Sequence, residues 1–218
     1  MKKLSKLITL VTTALILLYC IPVFAQNPEK KFHDSDNYFV RAGYSFPTKD
    51  KFNGGLAASL GITINLLDKL NFEAEGCLAM PQSEFLSGEY SNSIGAGDLS
   101  LVSLNLNLDY YFISTESFGI YVKAGTGYSF NIFSPASAYD DLGFAIEEDL
   151  DNSIQFTFGI GADFQFMDGI ILNLDARYSL NSTDGTWTTT DEISGAEVSG
   201  TSSADLNFIT VMLGIRFN

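Results

Sequence analysis

Along residues 152–166, NSIQFTFGIGADFQF, apolar and polar positions alternate. Ile154, Phe156, Phe158, Ile160, Ala162, Phe164 and Phe166 fall on one face of an extended strand, with Gln155, Thr157, Gly159, Gly161, Asp163 and Gln165 on the other, because strand side chains alternate with period two. The same design predicts strands over 37–46, 55–66, 70–80, 101–112, 118–131, 152–166 and 170–180, and a last strand carrying Ile209, Val211, Leu213, Ile215 and Phe217. In a closed sheet of eight strands, side chains only just fill the interior. The bulky face must therefore point outward and the small, polar face inward. Large apolar groups pointing outward imply a lipid solvent.

The connections sort by parity. Those at 67–69, 113–117 and 167–169 are short, the last with the Asp168-Gly169 signal of a hairpin. Those at 81–100, 132–151 and 181–204 are long and rich in Ser, Thr, Gly, Asn and acidic residues, which reads as loop. Short turns on one side and long loops on the other are the habit of a membrane barrel, with the short turns periplasmic. Aromatic residues gather at both ends of the strands. Tyr38, Tyr110, Phe112, Phe164, Phe166 and Phe217 lie at one end, and Tyr44, Phe46, Tyr128, Phe130, Phe156 and Tyr178 at the other, as two headgroup girdles would. The expected fold is all-β, an eight-stranded antiparallel up-and-down transmembrane β-barrel.

The amino terminus changes the picture of where this happens. Lys2, Lys3 and Lys6 precede an apolar stretch from Leu7 to Ile21, and Val23-Phe24-Ala25 follows. This is the pattern of a secretory signal peptide, residues 1–25, too short for a stable span. Cys20 follows Tyr19 rather than a small residue, which argues against a lipoprotein site. Residues 26–36 read as a polar periplasmic tail and residues 37–218 as the outer-membrane β-barrel domain. Cleavage after Ala25 removes three lysines and no acid, taking the formal charge from −14 to −17, so no nucleic-acid partner is implied. Cys77 is then the one remaining cysteine. No intramolecular disulfide can form, and stability must come from closing the sheet.

Segments such as YFVRAGYSFP, SLNLNLDYYF, YVKAGTGYSF and TVMLGIRFN carry a more specific signal. Over residues 26–218 the chain resembles the OmpA/OmpX-like group of small outer-membrane β-barrels, the porin-family barrel domains of Gram-negative envelopes. Barrels of this group usually end on an aromatic residue that looks like part of a signal read by the outer-membrane assembly machinery. Here Phe217 is penultimate and Asn218 follows.

Every strongly charged residue within the predicted strands falls on the inner face: Arg41, Glu73, Glu75, Asp109, Lys123, Asp163, Asp175, Arg177 and Arg216. Counted from the short-turn ends, Arg41, Glu73, Asp109, Lys123 and Asp163 stand three to five residues in, so they should meet at similar depth. Isolated charges in a dry core are prohibitive while paired ones are tolerable, so the group reads as a salt-bridged plug. The alternative is an ion path through the bore. The long loops carry no Lys or Arg, and Asp140, Asp141, Glu147, Glu148, Asp149 and Asp151 concentrate oxygen ligands that could hold a hard divalent cation beside anionic lipopolysaccharide. Their spacing does not match an EF-hand, and a solvated, repulsive anionic surface is the favoured reading.

Catalysis finds little support. His33 is the only histidine and lies in the tail, so a Ser-His pair cannot be built within the barrel. Inward Cys77 has no basic residue beside it in sequence to favour a thiolate. Gly43, Gly61, Gly125, Gly127, Gly159 and Gly161 sit on inner faces and relieve crowding in a narrow bore rather than cradle phosphate. The expectation is therefore a monomeric, non-enzymatic barrel in outer-membrane lipid and lipopolysaccharide, needing no cofactor and serving envelope integrity or surface interaction. A small porin-like channel for ions or solutes is the alternative. A soluble lipocalin-like carrier with its apolar face inward is disfavoured because its water-facing side would carry too few charges.

Overall fold

The computed structural model describes residues 36–48, 52–83, 97–135 and 144–217. The expected signal peptide and all but the last residue of the tail, with His33, lie outside these residues, as do Asp140 and Asp141. The described residues form ten strands: β1 (Asn37–Pro47), β2 (Phe52–Leu67), β3 (Leu70–Ser83), β4 (Gly97–Ser114), β5 (Phe118–Pro135), β6 (Phe144–Leu150), β7 (Ser153–Met167), β8 (Ile170–Asp191), β9 (Glu197–Asp205) and β10 (Phe208–Phe217). The order β10-β1-β2-β3-β4-β5-β7-β8 closes on itself through a β8–β10 pairing, giving an eight-stranded ring. The ladders are antiparallel, as short-turn connections require.

The orientation of the strands follows from side-chain size. In β7 the even-numbered residues Ile154, Phe156, Phe158 and Ile160 face outward, the last three each 51% exposed, while Gln155 and Thr157 are buried. On β4 Leu104, Leu106 and Leu108 are exposed and Ser103, Asn105 and Asn107 buried. A face of this composition is stable only against hydrocarbon. Ring contacts reinforce both edges of the apolar band: Tyr38 with Phe217 and Phe118 with Phe164 at the short-turn end, Tyr44 with Phe46 and Tyr128 with Phe130 at the other. In the 167–169 turn Gly169 takes a φ of 76°, and in the equivalent 67–69 turn Lys69 takes 70°. The two turns share one backbone shape although only one has the glycine that adopts it without strain.

The long connections differ from expectation. Residues 132–135 extend β5 and 144–150 form β6, while 181–191 extend β8 and 197–205 form β9. Beyond Asn181, β8 pairs with β6 on one side and β9 on the other, a second sheet carried past the rim of the ring. At about 3.3 Å per residue, the 22 residues of β8 are far longer than a membrane crossing needs. The run Thr186-Trp187-Thr188-Thr189-Thr190 favours strand because its residues are β-branched or aromatic. It carries no apolar alternation because neither face meets lipid. At the tip of this extension Ser194 and the backbone amides of Ile193 and Ser194 donate to the Asp191 carboxylate, holding it below its ordinary range. Pro81 also falls inside a strand. The β3–β4 ladder skips from Ala79–Leu101 to Gln82–Asp98 around it, where a proline cannot donate.

Candidate functional site

The bore is filled, chiefly in its short-turn half, by the nine charged residues expected there, none more than 4% exposed. Neighbouring strands bring them together because each stands at an inward position towards the short-turn end of its strand. Glu73 on β3 is the hub. It accepts from Arg41 Nη2 at 2.6 Å and Nη1 at 3.1 Å, from Arg216 Nη2 at 3.4 Å, from Asn107 Nδ2 at 3.4 Å and from the Lys123 ammonium. Glu75 accepts from Arg177 and, at 3.2 Å, from Arg41. Asp175 accepts from Arg177 Nε at 2.6 Å and lies 3.3 Å from Lys123 Nζ. Asp163 takes Tyr111 Oη and Asn173 Nδ2, each at 2.6 Å, with Arg216 Nε at 3.5 Å. Asp109 is different: Lys123 stands at 3.6 Å and Arg216 at 3.5 Å, and neither of its oxygens accepts a hydrogen bond from a described residue.

Besides Asn107, four further uncharged side chains help complete the network. Asn173 accepts from Arg41 Nε at 2.6 Å and donates to Tyr121 Oη and Asp163. Tyr121 Oη donates to Asp175 and accepts from Arg216, and Tyr111 Oη links Arg216 to Asp163. Phe39 lies under the Arg41 guanidinium, 3.9 Å from ring centroid to Cζ, a cation–π contact. A sequence signal for the rings did exist. Each of the three rings in the network packs where a neighbouring strand offers glycine: a Cβ on Gly61 would meet Phe39, one on Gly119 would meet Tyr111, and one on Gly161 would run into the Tyr121 ring and hydroxyl. The inner glycines thus accommodate particular rings as well as a narrow bore. Gly161→Ala is expected to displace Tyr121 and lower stability by about 1–3 kcal/mol. Gly76→Ala, whose Cβ would meet nothing closer than 3.9 Å, should unfold at nearly the wild-type urea midpoint.

Towards the long-loop end the inner surface turns apolar. Ala57, Ala79, Leu99, Leu101, Phe133, Leu150, Leu206, Phe208 and Met212 form one buried cluster. Between cluster and network, Ser59, Gln155, Thr157 and Thr210 keep hydrogen-bonding capacity that no described residue meets. Cys77 is buried as a free thiol. Of the loop acids expected to gather around a cation, Asp140, Asp141 and the Glu148 side chain lie outside the described part of the structure, while Glu147, Asp149 and Asp151 are exposed. Among the described residues no three His, Cys, Asp or Glu side chains form a group able to hold a metal ion.

This arrangement has known relatives in fold. OprG from Pseudomonas aeruginosa superposes with a TM-score of 0.68 at 17% identity, covering 87% of this chain and 98% of that one. A major outer membrane protein from Thermus thermophilus gives 0.58 at 15% identity over 84% of this chain and 98% of that one. Neisserial surface protein A gives 0.52 at 11% identity over 84% and 96%. Identities this low speak for the fold alone. No curated protein matches the chain in sequence. Residues 11–217 match the family model of the outer membrane protein beta-barrel domain, and the chain belongs to that family.

Proposed function

We propose that the protein is a non-enzymatic outer-membrane barrel with a closed interior, serving envelope integrity or contacts at the cell surface through its acidic outer strands. The observation that carries this reading is the continuity of the ionic network. Glu73 joins Arg41, Lys123 and Arg216, and these lead on to Glu75, Asp175 and Asp163, tying together every strand of the ring except β2 and β4 by direct ion pairs, while β4 joins through the hydrogen bond from Asn107 to Glu73. Charges paired at this burial hold one another firmly, because separating them would leave each uncompensated in a poorly polarisable interior. The apolar cluster beneath the long loops adds a second obstruction.

Outside the ring, residues 144–151 and 181–205 contain Glu147, Glu148, Asp149, Asp151, Asp184, Asp191, Glu192, Glu197 and Asp205, without a single Lys or Arg. Such a surface keeps neighbouring copies apart and supports a monomer. The proposed surroundings are outer-membrane lipid and lipopolysaccharide, reached through the assembly machinery. His33, the only histidine, precedes β1 in sequence, which supports the absence of a Ser-His hydrolase. Purified protein reconstituted in planar bilayers is expected to give no sustained conductance. Sustained current that changes on Lys123→Gln or Asp163→Asn would replace this reading with that of a small ion or solute channel.

A further inference from the structure

The charges of the buried network do not cancel. Four cations, Arg41, Lys123, Arg177 and Arg216, face five carboxyl groups, Glu73, Glu75, Asp109, Asp163 and Asp175, and all nine are enclosed. Ionised throughout, the cluster would bury one uncompensated negative charge, among the least favourable things a protein interior can contain. Four of the carboxyls are fixed as anions by at least one cationic or phenolic donor at hydrogen-bond distance. Asp109 is not.

The surroundings of Asp109 explain why. Lys123, opposite it on β5, is committed to Glu73 and, at 3.3 Å, to Asp175. Arg216 on β10 directs its two Nη atoms to Thr63, Tyr111, Tyr121 and Glu73, while its Nε, 3.5 Å from Asp163, hydrogen-bonds to no described residue. Both cations therefore stand off from Asp109 at 3.5–3.6 Å, too far for a good charge-assisted bond. From β3, Glu73 adds a like charge, and from β1, Arg41 acts only at a distance. Asp163 on β7 competes with Asp109 for Arg216, and Asp175 on β8 competes for Lys123. Two residues along the same face, Asn107 Oδ1 is a buried acceptor that no described residue supplies with a donor.

We infer that the buried network binds one proton and that Asp109 carries it, making the cluster neutral overall and Asp109 a hydrogen-bond donor rather than an anion. This goes beyond the closed-interior reading and does not depend on it. Conductance tests that reading, whereas the proton is tested by infrared spectroscopy of the full barrel folded in detergent in heavy water. At neutral pH the wild type should show the carbonyl stretch of one un-ionised carboxyl group per barrel. Asp109→Asn should reduce that signal from one to none, and Glu147→Gln on the exposed β6 should leave it unchanged. Because an amide imitates the neutral acid, Asp109→Asn should fold and melt at or above the wild-type temperature. Absence of the signal from the wild type, its survival in Asp109→Asn, or failure of Asp109→Asn to fold would overturn the assignment. So would a wild-type melting temperature that depends on Na⁺ or K⁺ at constant ionic strength, since a metal cation would then be supplying the missing charge.

Discussion

Replacing Glu73 with alanine is expected to destabilise the barrel by roughly 3–5 kcal/mol, the range seen when one partner of a buried ion pair is removed. Glu73 is the one carboxylate touching three cations, Arg41, Lys123 and Arg216. Its loss leaves three buried positive charges underpaired and a space where the carboxylate stood. Lys123 retains Asp175 at 3.3 Å, and Asp109 at 3.6 Å can give up its proton to supply the missing negative charge, so the loss is partly absorbed, whereas the Arg41 fork keeps only Glu75 as a charged partner within reach. The measurement is urea unfolding of protein folded into phospholipid vesicles. A second comparison separates charge from packing: Lys123→Met combined with Glu73→Gln should cost clearly less than the two single changes added together, because residues in one network couple. A Glu73→Ala variant within about 0.5 kcal/mol of wild type, the scale of an ordinary surface change, would mean that the network contributes nothing to holding the ring closed.

How far such a network can be read from sequence depends on what the alternation reports. Where one face of a strand meets lipid and the other a packed bore, as from Gln155 to Asp163, period-two contrast is strong and the strand, its orientation and its buried charges are all legible. Where both faces meet water, as from Trp187 to Asp191, contrast vanishes, and a Thr-rich strand looks like a loop. The missing information there was β-propensity, not hydropathy. Within the bore, the charged members stood out because ionic side chains have no other place in a lipid-bound strand. Tyr111, Tyr121, Asn173 and Phe39 were harder to recognise as members, because nothing about an inward ring or amide requires an ionic partner. Register supplies what alternation lacks: Tyr121 opposes Gly161 and Phe39 opposes Gly61, so each of these rings has a glycine beside it on one neighbouring strand. The imbalance of five acids against four bases was visible in the chain. Which acid lacks a donor was not, since that depends on how far Lys123 and Arg216 reach.

Leu106→Arg should destabilise the barrel by about 2–4 kcal/mol in a bilayer, whereas Leu67→Arg should have an effect of about 0–1 kcal/mol. Leu106 lies near the middle of β4, 54% exposed, between Ala74 and Thr126 on the adjoining strands. Leu67 is 65% exposed but sits at the 67–69 turn, where a guanidinium reaches headgroups and water. Exposure alone therefore does not distinguish the two positions; depth in hydrocarbon does. The gradient between them tests the orientation on which the assignment of the bore rests. If the outer face met water, arginine at either position would change stability by no more than about 0.5 kcal/mol, and the two variants would unfold together. With lipid outside, the Leu106 variant carries its charge where neither water nor an anionic partner is near. Equilibrium unfolding from vesicles, compared with the same pair in short-chain detergent, should show the difference shrinking as the hydrocarbon layer becomes thinner and easier for the arginine to snorkel through.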